Sequence, residues 1–399
     1  MRRSLPVTGS RVVDGLAATA IVLAVATVIG LVALWPHGKI GRPGQFGPVR
    51  TYGAVTKSVK TRSCRLSASH RCRIATVELL DGPQKGKLAS LTTVSAVGAL
   101  DVQPGDHIRV YRNAVPPGNP GHAPPFSFAD FDRRGAMLWL LVGFAVLLLL
   151  TGRFHGLRAL FALFVSLAIV VEFVVPAILH GSSPFAVALV GAFAVMLVMM
   201  PLSYGFGAKA LAAWLGTALS LLLAAGLSYA FAHIGHLSGA TSDESVYLGA
   251  ADSHLSLQGL LVAGMVIGAL GVLVDLTVSQ ASTVIALRRA NPSLNFRGLF
   301  HGALEVGHDH IAATVATLVF AYAGAALPVL LIFNVGGTSF ADALNGEAVA
   351  DAVIAALVGS IGLIASMPIT TALAAVLAPR MSDKQLASAE HTHAHAHVH

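Results

Sequence analysis

Long apolar runs separated by short polar loops fill most of the chain. Seven runs follow one another in its last two thirds, at 136–152, 156–178, 184–203, 209–233, 256–280, 308–333 and 350–378. An earlier run extends from about Leu16 to Leu34. Each is long enough for a helix to cross a hydrocarbon core of about 30 Å. The pattern therefore predicts an α-helical integral membrane protein with about eight transmembrane helices.

The first apolar run follows a basic and polar amino end, MRRSLPVTGSR. A signal peptide has an apolar core of roughly 7–15 residues and a small-residue cleavage site. This run is longer, and it continues into Trp35-Pro36-His37 without such a site. We expect an uncleaved first transmembrane helix with its amino end in the cytoplasm.

A different pattern occupies residues 39–115. The stretches CRIATVEL and DHIRVYR alternate apolar with polar residues, as half-buried strands do. Asp81-Gly82-Pro83 and Pro104-Gly105-Asp106 supply turns. The alternation predicts a small β-barrel or β-sandwich domain of five or six strands between the first and second transmembrane helices.

The only two cysteines of the chain, Cys64 and Cys72, lie in this β-rich stretch on either side of a polar, basic segment. If the domain lies outside the cytoplasm, a disulfide between them would close a hairpin. Two free thiols or a metal pair are the alternatives, although two ligands alone make a poor zinc site.

Shifts in composition divide the chain into five parts. They are an amino-terminal tail with the first helix (1–38), the β-rich domain (39–115), a Pro/Gly-rich linker with an interfacial segment (116–135), a seven-helix membrane core (136–380) and a His-rich cytoplasmic tail (381–399). The alternating histidines of the tail would point to one side of an extended chain, where imidazoles bind zinc, nickel or copper. A weak metal site there would include His393, His395, His397 and His399. The alternative is an artefact of expression, and we expect no cofactor.

Composition excludes a soluble protein. Hydrophobic residues make up 55% of the chain and charged residues 11%, and the mean hydropathy is +0.73. Soluble domains carry about 25% charged residues. The net charge of +7 does not indicate nucleic acid, because the basic residues lie at the ends of the spans and over one polar domain. The expected partner is the lipid bilayer.

Loop charges predict the orientation. The loops on one side contain basic residues, among them Arg158, Lys209 and Arg289. The stretches 243–252 and 342–351 on the other side contain acids and no lysine or arginine. Because cytoplasmic loops are enriched in lysine and arginine, we expect both termini in the cytoplasm and the β domain outside.

Small and polar residues form a stripe along each of the two spans between Gly264 and Gly324. The first stripe is Gly264, Gly268, Gly271, Asp275, Ser279 and Ser282, and the second is Gly307, His310, Thr314, Thr317, Ala321 and Gly324. Spacings of three and four put each set on one face of a helix. Since small-residue faces let helices approach closely in lipid, we expect the two stripes to meet along one seam.

Ionisable residues in these spans are costly to bury and are by default functional hypotheses. Asp275 lies about five residues from the cytoplasmic end of its expected helix and level with Thr314, and His310 comes one turn before Thr314. Such a carboxylate binds a cation or carries a proton in transporters. The alternative is a neutral or capped acid that only holds two helices together. The candidate solute or ion site comprises Asp275, Ser279, Glu305, His308, Asp309, His310, Thr314, Thr317 and Glu172.

Two of these candidates have alternatives of their own. The triplet His308-Asp309-His310 would also suit a charged helix start, where an acid opposes the helix dipole. Glu172 stands alone in LAIVVEFVVPAIL, so it should face the bundle or a wet cavity. A simple tertiary hydrogen bond is the alternative role for Glu172.

Several motifs together resemble the YibE/F-like family of bacterial multi-pass membrane proteins. They are DG-x-x-x-G and PGD in the β domain, DFDRRG at 130–135, GVLVDLTVSQAS at 271–282 and GHDHIAATVATLVFAYAGAALP at 307–328. Family members tend to have G-R-D where this chain has Gly307-His308-Asp309. The resemblance implies a permease-like protein of the bacterial inner (cytoplasmic) membrane.

We therefore expect a permease-like secondary transporter or channel for a small solute or ion. The alternative is a non-transporting accessory protein that presents its exported β domain to an envelope partner or to a second copy. Enzyme signatures such as GxSxG, HExxH and the P-loop are absent from the sequence. An intramembrane hydrolase built on Ser360 and His310 is the enzyme alternative, but serine and glycine also serve helix packing in membranes.

Overall fold

The computed structural model describes residues 8–37, 51–63, 71–94, 102–113, 126–205, 207–251 and 254–381. It divides into two compact units. One unit comprises residues 1–41 and 148–399, and the other comprises residues 42–147.

Seven helices in the described ranges are long and apolar enough to cross a membrane, as a multi-pass membrane protein requires. Long and short helices together, the α-helices of the described ranges are α1 (Thr8–Leu34), α2 (Arg134–Ile169), α3 (Val175–Leu179), α4 (Pro184–Tyr204), α5 (Ala208–Ile234), α6 (Asp243–Ala251), α7 (Leu257–Ala290), α8 (Phe296–Val335), α9 (Phe340–Asn345) and α10 (Glu347–Leu377).

A break in α2 accounts for the difference between seven helices and the expected eight. Together with α3 it forms one apolar span of 46 residues. At Arg153 the backbone leaves the helical region, with φ 46° and ψ −124°. A Cβ on Gly156 would lie 2.3 Å from the carbonyl oxygen of Leu148, so the chain bends sharply here. The second and third expected spans are thus the two arms of one bent helix, and a count of eight stays a prediction.

A π turn, Val170–Val174, connects α2 to α3. Pro176 has no N–H and cannot donate to the carbonyl four residues before it. The N–H of Val175 donates to the carbonyl of Val170, five residues back, which is the π spacing. The wider turn accommodates the proline and contains Glu172.

Helices α5, α7 and α10 form the centre of the helical unit, with α8 packed on α10 and α4 on α7. Close packing depends on small residues, as in other membrane helices. A Cβ on Gly216 of α5 would lie 2.0 Å from Thr370 Oγ1 on α10. The hydroxyls of Thr217 and Thr277 are 2.6 Å apart and link α5 to α7.

The described part of the second unit is one antiparallel sheet of five strands, in the order β3-β2-β1-β4-β5. The strands are β1 (Thr51–Ser63), β2 (Arg71–Leu79), β3 (Leu88–Val94), β4 (His107–Arg112) and β5 (Phe126–Phe131). The edge strands β3 and β5 approach each other, so the sheet curls around an apolar core that includes Val77, Leu91 and Ile108. Of the two expected β architectures, the curled sheet is closer to the barrel.

Strand β5 lies within 116–135, the stretch expected to be a linker and an interfacial segment. That expectation is wrong for Phe126–Phe131, which pairs with β4. The alternation of FSFADF supplies the physical reason, because Phe126 is buried in the sheet core with 4% of its surface exposed. The proline-rich residues before it hide this short strand pattern in the sequence.

The start of α2 follows β5 directly. Asp132 Oδ1 accepts a hydrogen bond from the Arg134 N–H. The Arg133 guanidinium lies 2.8 Å from Asp130 and donates to it, which lowers the pKa of that exposed carboxyl. The DFDRRG motif thus begins a helix, as acidic caps do.

The glycine motifs of the β domain are turn residues. Gly82 and Gly105 have φ of 85° and 97°, in the left-handed region that favours glycine. Asp81 Oδ1 accepts from the Gly53 N–H at 2.8 Å, which ties the β2–β3 turn to β1. Cys64 lies outside the described residues, so the disulfide with Cys72 stays a prediction.

Candidate functional site

Asp275 on α7 and His310 on α8 lie next to each other. Asp275 Oδ2 is 3.8 Å from His310 Nε2, an ion-pair distance that is too long for a hydrogen bond. The two helices run antiparallel because the turn 291–295 joins them directly. Asp275 was expected level with Thr314, and its neighbour in the structure is His310, one turn earlier on α8.

The turn 291–295 is fixed by its own polar groups. Arg288 donates to the carbonyls of Pro292 and Leu294. Asn295 caps α8, since its side chain accepts from the Gly298 N–H at 2.9 Å. Basic residues near a helix carboxyl end and asparagine at an amino end are both favourable. This turn sets the register in which α8 returns along α7.

Both helices extend well beyond their apolar runs. Asp275 therefore lies about 15 residues before the end of α7, roughly 22 Å at 1.5 Å per residue. The expectation of about five residues is wrong, because backbone hydrogen bonding continues after the apolar run until Pro292 stops it. Asp275 is near the middle of its helix.

The two stripes do not form the expected continuous seam. Gly264, Gly271 and Gly324 are exposed, and a Cβ on any of them would meet no atom within 4 Å. The reason is that α8 packs mainly on α10, so it does not cover these positions of the stripe of α7. The side chain of Asp275 is 73% exposed and that of His310 40% exposed.

Gly307 is the one stripe glycine at a very close approach in the described structure. A Cβ there would lie 1.8 Å from Gln280 Nε2 on α7 and 2.5 Å from Met367 Sδ on α10. Gln280 is 2% exposed, and neither of its amide atoms has a hydrogen-bond partner among the residues that the structure describes. The sequence analysis missed Gln280, although an amide within GVLVDLTVSQAS, five residues after Asp275, was a signal.

The predicted hydroxyls are largely satisfied inside their own helices. Thr314 Oγ1 donates to the His310 carbonyl at 2.7 Å, and Thr317 Oγ1 donates to the Ala313 carbonyl at 2.9 Å. The Ser279 carbonyl accepts from the Thr283 hydroxyl at 3.0 Å. Thr314 thus packs in the turn after His310, as predicted, and its hydroxyl proton is already engaged.

The remaining acids and His308 lie apart from the pair. Glu305, His308 and Asp309 are exposed on α8. The alternative that the triplet starts a helix is wrong, since α8 begins at Phe296. In the parts of the chain that the structure describes, no three His, Cys, Asp or Glu side chains form a cluster that could hold a metal ion. The tail histidines lie beyond those parts.

Glu172 does not face the interior of the single chain. It is exposed in the π turn, whereas its neighbours Phe173 and Val174 are buried. The expectation that it faces the bundle is therefore wrong for this chain alone. The π turn explains this, because one extra residue in the turn changes which side chains point inward.

Asp351 is a buried carboxylate that the sequence analysis placed in a loop. It lies in the second turn of α10 with 8% of its surface exposed. Its Oδ2 accepts from the Thr241 hydroxyl at 2.9 Å, and its Oδ1 has no hydrogen-bond partner among the described residues. The signal for it was the spacing of Glu347 and Asp351 on one helix face, followed by an apolar run.

Asp351 lines a cleft of about 450 Å³ between α7, α8 and α10, hereafter the Asp351 cleft. Its walls are mostly apolar and include Leu261 and Ala326. Tyr322 also lines the cleft, and its hydroxyl lies 3.2 Å from the position that a Cβ on Gly268 would occupy. Tyr322 therefore borders both the cleft and the stripe of α7.

A family model described as YibE/F-like protein matches residues 140–380, which is more than half of the chain. Comparisons with curated proteins and with solved structures returned no match. The matched region contains Asp275, His310 and Asp351 and excludes the described strands.

Proposed function

The chain belongs to the YibE/F-like family and is a membrane protein, and on that premise we propose that it is a secondary transporter or channel for a small solute or ion. In this proposal Asp275 and His310 form the ion-coupling pair. The protein lies in the inner membrane of a bacterium, with both termini in the cytoplasm and the β domain outside. The loop charges support this orientation.

The pair Asp275–His310 is the observation that carries the proposal. Two ionisable side chains lie 3.8 Å apart on neighbouring spans, where each is costly unless it has a role. Histidine changes charge near neutral pH. A carboxylate beside it offers a cation or proton a binding position that depends on the state of the imidazole.

The charges of the pair suggest how an ion would couple to movement. When both groups are ionised, their attraction holds α8 against α7. A proton on Asp275, or a cation bound to it, removes that attraction and lets the helices separate. Because such a pair is weak where it is solvated and strong where it is not, excluding water from it would strengthen it. Ion occupancy at the pair and the position of α8 would thereby be coupled.

Asp275→Asn tests the proposal, because it keeps size and hydrogen bonding and removes the charge. Purified protein is placed in proteoliposomes with an internal pH dye, and a gradient of protons, sodium or potassium is imposed. We expect the unmodified protein to move one of these ions and Asp275→Asn to lose that flux. Asp14→Asn on α1 is the matched control, because Asp14 is exposed on another helix.

Two results would contradict the proposal. Equal flux in Asp275→Asn and the unmodified protein would remove Asp275 from the coupling step. No flux of any of the three ions in the unmodified protein would reject ion-coupled transport. The melting temperature of each variant in detergent is measured alongside, so that loss of flux is separated from loss of fold.

An accessory role is the second candidate function, and the separate β unit favours it. Residues 42–147 form their own compact unit with an apolar core, as a domain that presents a surface to another protein would. In that role Asp275→Asn would restore a deletion strain as well as the unmodified gene does. Replacement of the β unit by a short linker would then abolish restoration.

A further inference from the structure

The Asp351 cleft contains a carboxylate whose hydrogen bonding is incomplete. Oδ2 has the Thr241 hydroxyl, whereas Oδ1 is buried without a partner among the described residues. A buried ionised oxygen is costly unless it is paired and hydrogen-bonded. Something that donates to Oδ1 would remove that cost.

The charge around the cleft favours a cation. Glu347 lies one turn before Asp351 on α10, and its Oε1 accepts from the N–H groups of Ser238 and Gly239. The two acids thus hold the loop that carries Thr241 against the first turns of α10. Among the described residues that line the cleft, none is lysine, arginine or histidine. The site has negative charge without a basic side chain to balance it.

The walls of the cleft determine what kind of cation fits. Hard metal cations such as calcium take six to eight oxygen ligands, whereas most of this lining is Leu, Ala, Val, Met and Gly. Among the described residues of the lining, the polar side chains are the Asp351 carboxylate and the hydroxyls of Thr241, Ser242, Ser245 and Tyr322. An ammonium group donates three hydrogen bonds, and an alkyl body suits apolar walls.

We propose that the Asp351 cleft binds a small organic cation with a primary ammonium group and an apolar body. The ammonium donates to Asp351, and the alkyl part lies between α7 and α8. The assignment of this cation as the transported solute rests on the proposed function. Binding in the cleft does not.

The position of the cleft connects this site to the ion-coupling pair. Gly264 lines the cleft and belongs to the same stripe as Asp275. Asp275 follows Gly264 by about 11 residues, or roughly 16 Å along α7. Tyr322 faces Gly268 between them. An occupant of the cleft therefore lies beside the same stripe of α7 that carries Asp275.

Isothermal titration calorimetry on the purified full-length protein in detergent tests the site. The probe is n-butylammonium chloride, with butan-1-ol and sodium chloride titrated separately. We expect n-butylammonium to bind and Asp351→Asn to weaken it about tenfold or more, since a charge-assisted hydrogen bond is lost. Thr241→Val should weaken it less, because Oδ1 is unchanged. Glu244→Gln, which removes an exposed carboxylate near the cleft but not in its lining, should leave binding unchanged.

Each other outcome overturns the proposal. Equal binding by Asp351→Asn, equal heats with butan-1-ol, or heats with sodium alone would each reject the carboxylate–ammonium site, as would no binding of n-butylammonium. If Asp351→Asn loses its fold by thermal unfolding, Thr241→Val decides, and an unchanged affinity in that variant rejects the site. None of these results depends on ion flux, so the ion-coupling proposal is judged separately.

Discussion

Gly307 fixes the position of α8 by having no side chain. Gln280 and Met367 occupy the space that a Cβ would need. The close approach sets the height of α8 against α7 and α10. His310 follows Gly307 by nearly one turn, so the distance between His310 and Asp275 depends on this contact.

Gly307→Ala is therefore expected to lower the free energy of unfolding by about 1–3 kcal/mol, as overpacking of a tight contact does. Thermal unfolding in detergent measures the change. Gly324→Ala is the matched control on the same helix and stripe, because no atom lies within 4 Å of its Cβ position. Equal melting temperatures for the two variants would mean that the contact at Gly307 relaxes freely.

Individual residues show how far the sequence predicts the candidate site. Spacing identified the faces that hold Asp275 and His310, and the two do lie together. Spacing could not say which neighbouring helix covers each face, so Gly271 was expected in a seam and is exposed. Asp351 was missed for a similar reason, since its burial depends on the loop at Thr241, far away in sequence.

The long helices show why element boundaries were less predictable than element types. Hydropathy marks the part of a helix that contacts lipid, whereas the helix itself continues until its backbone hydrogen bonding is stopped. The apolar run of α8 begins near residue 308, but the helix begins at Phe296 with an asparagine cap. In the β domain the alternation predicted the strands that contain CRIATVEL and DHIRVYR, and it missed the short β5.

The hairpin of β1 and β2 makes the predicted disulfide testable. These strands pair antiparallel up to Ser63 and Arg71, and Cys64 follows Ser63 in the sequence. If Cys64 and Cys72 are bonded, reduction should lower the stability of the β domain by roughly 2–4 kcal/mol. Alkylation of the unfolded, non-reduced protein followed by mass spectrometry counts free thiols. A count of two would exclude the disulfide, and the reduced sample, which must give two, is the control.

The predicted orientation requires the basic ends of several packed helices to lie on the same side of the membrane. Lys209 lies in the first turn of α5, Arg288 and Arg289 lie in the last turn of α7, and Arg380 follows the end of α10. Lys209 and Arg289 come close enough to interact electrostatically. The interaction of Lys209 with Arg289 puts the start of α5 and the end of α7 on one side of the bundle, and the segment Ala378–Arg380 after α10 also contacts α7. The opposite ends carry Asp243 and Glu347.

Single-cysteine labelling with a membrane-impermeant reagent tests that orientation. In a chain with Cys64 and Cys72 replaced by serine, Ser293→Cys should react only after the cells are permeabilised. Thr338→Cys, at the other end of α8, should react in intact cells. Labelling of Ser293→Cys from outside would reverse the orientation of every span.

Helices α7 and α8 contain 34 and 40 residues, which is about 51 and 60 Å of helix. The hydrocarbon core is about 30 Å thick. Even at a tilt of about 40°, the steepest usual value, both helices are longer than the path through that core. Part of this hairpin therefore stands in the headgroups or in water. Between Asp275 and Ala290 the helix contains neither proline nor glycine, so that part of α7 is expected to move as one rigid segment. A force on the turn 291–295, from anionic headgroups or from a soluble protein, would be transmitted to the side chains of Asp275 and His310.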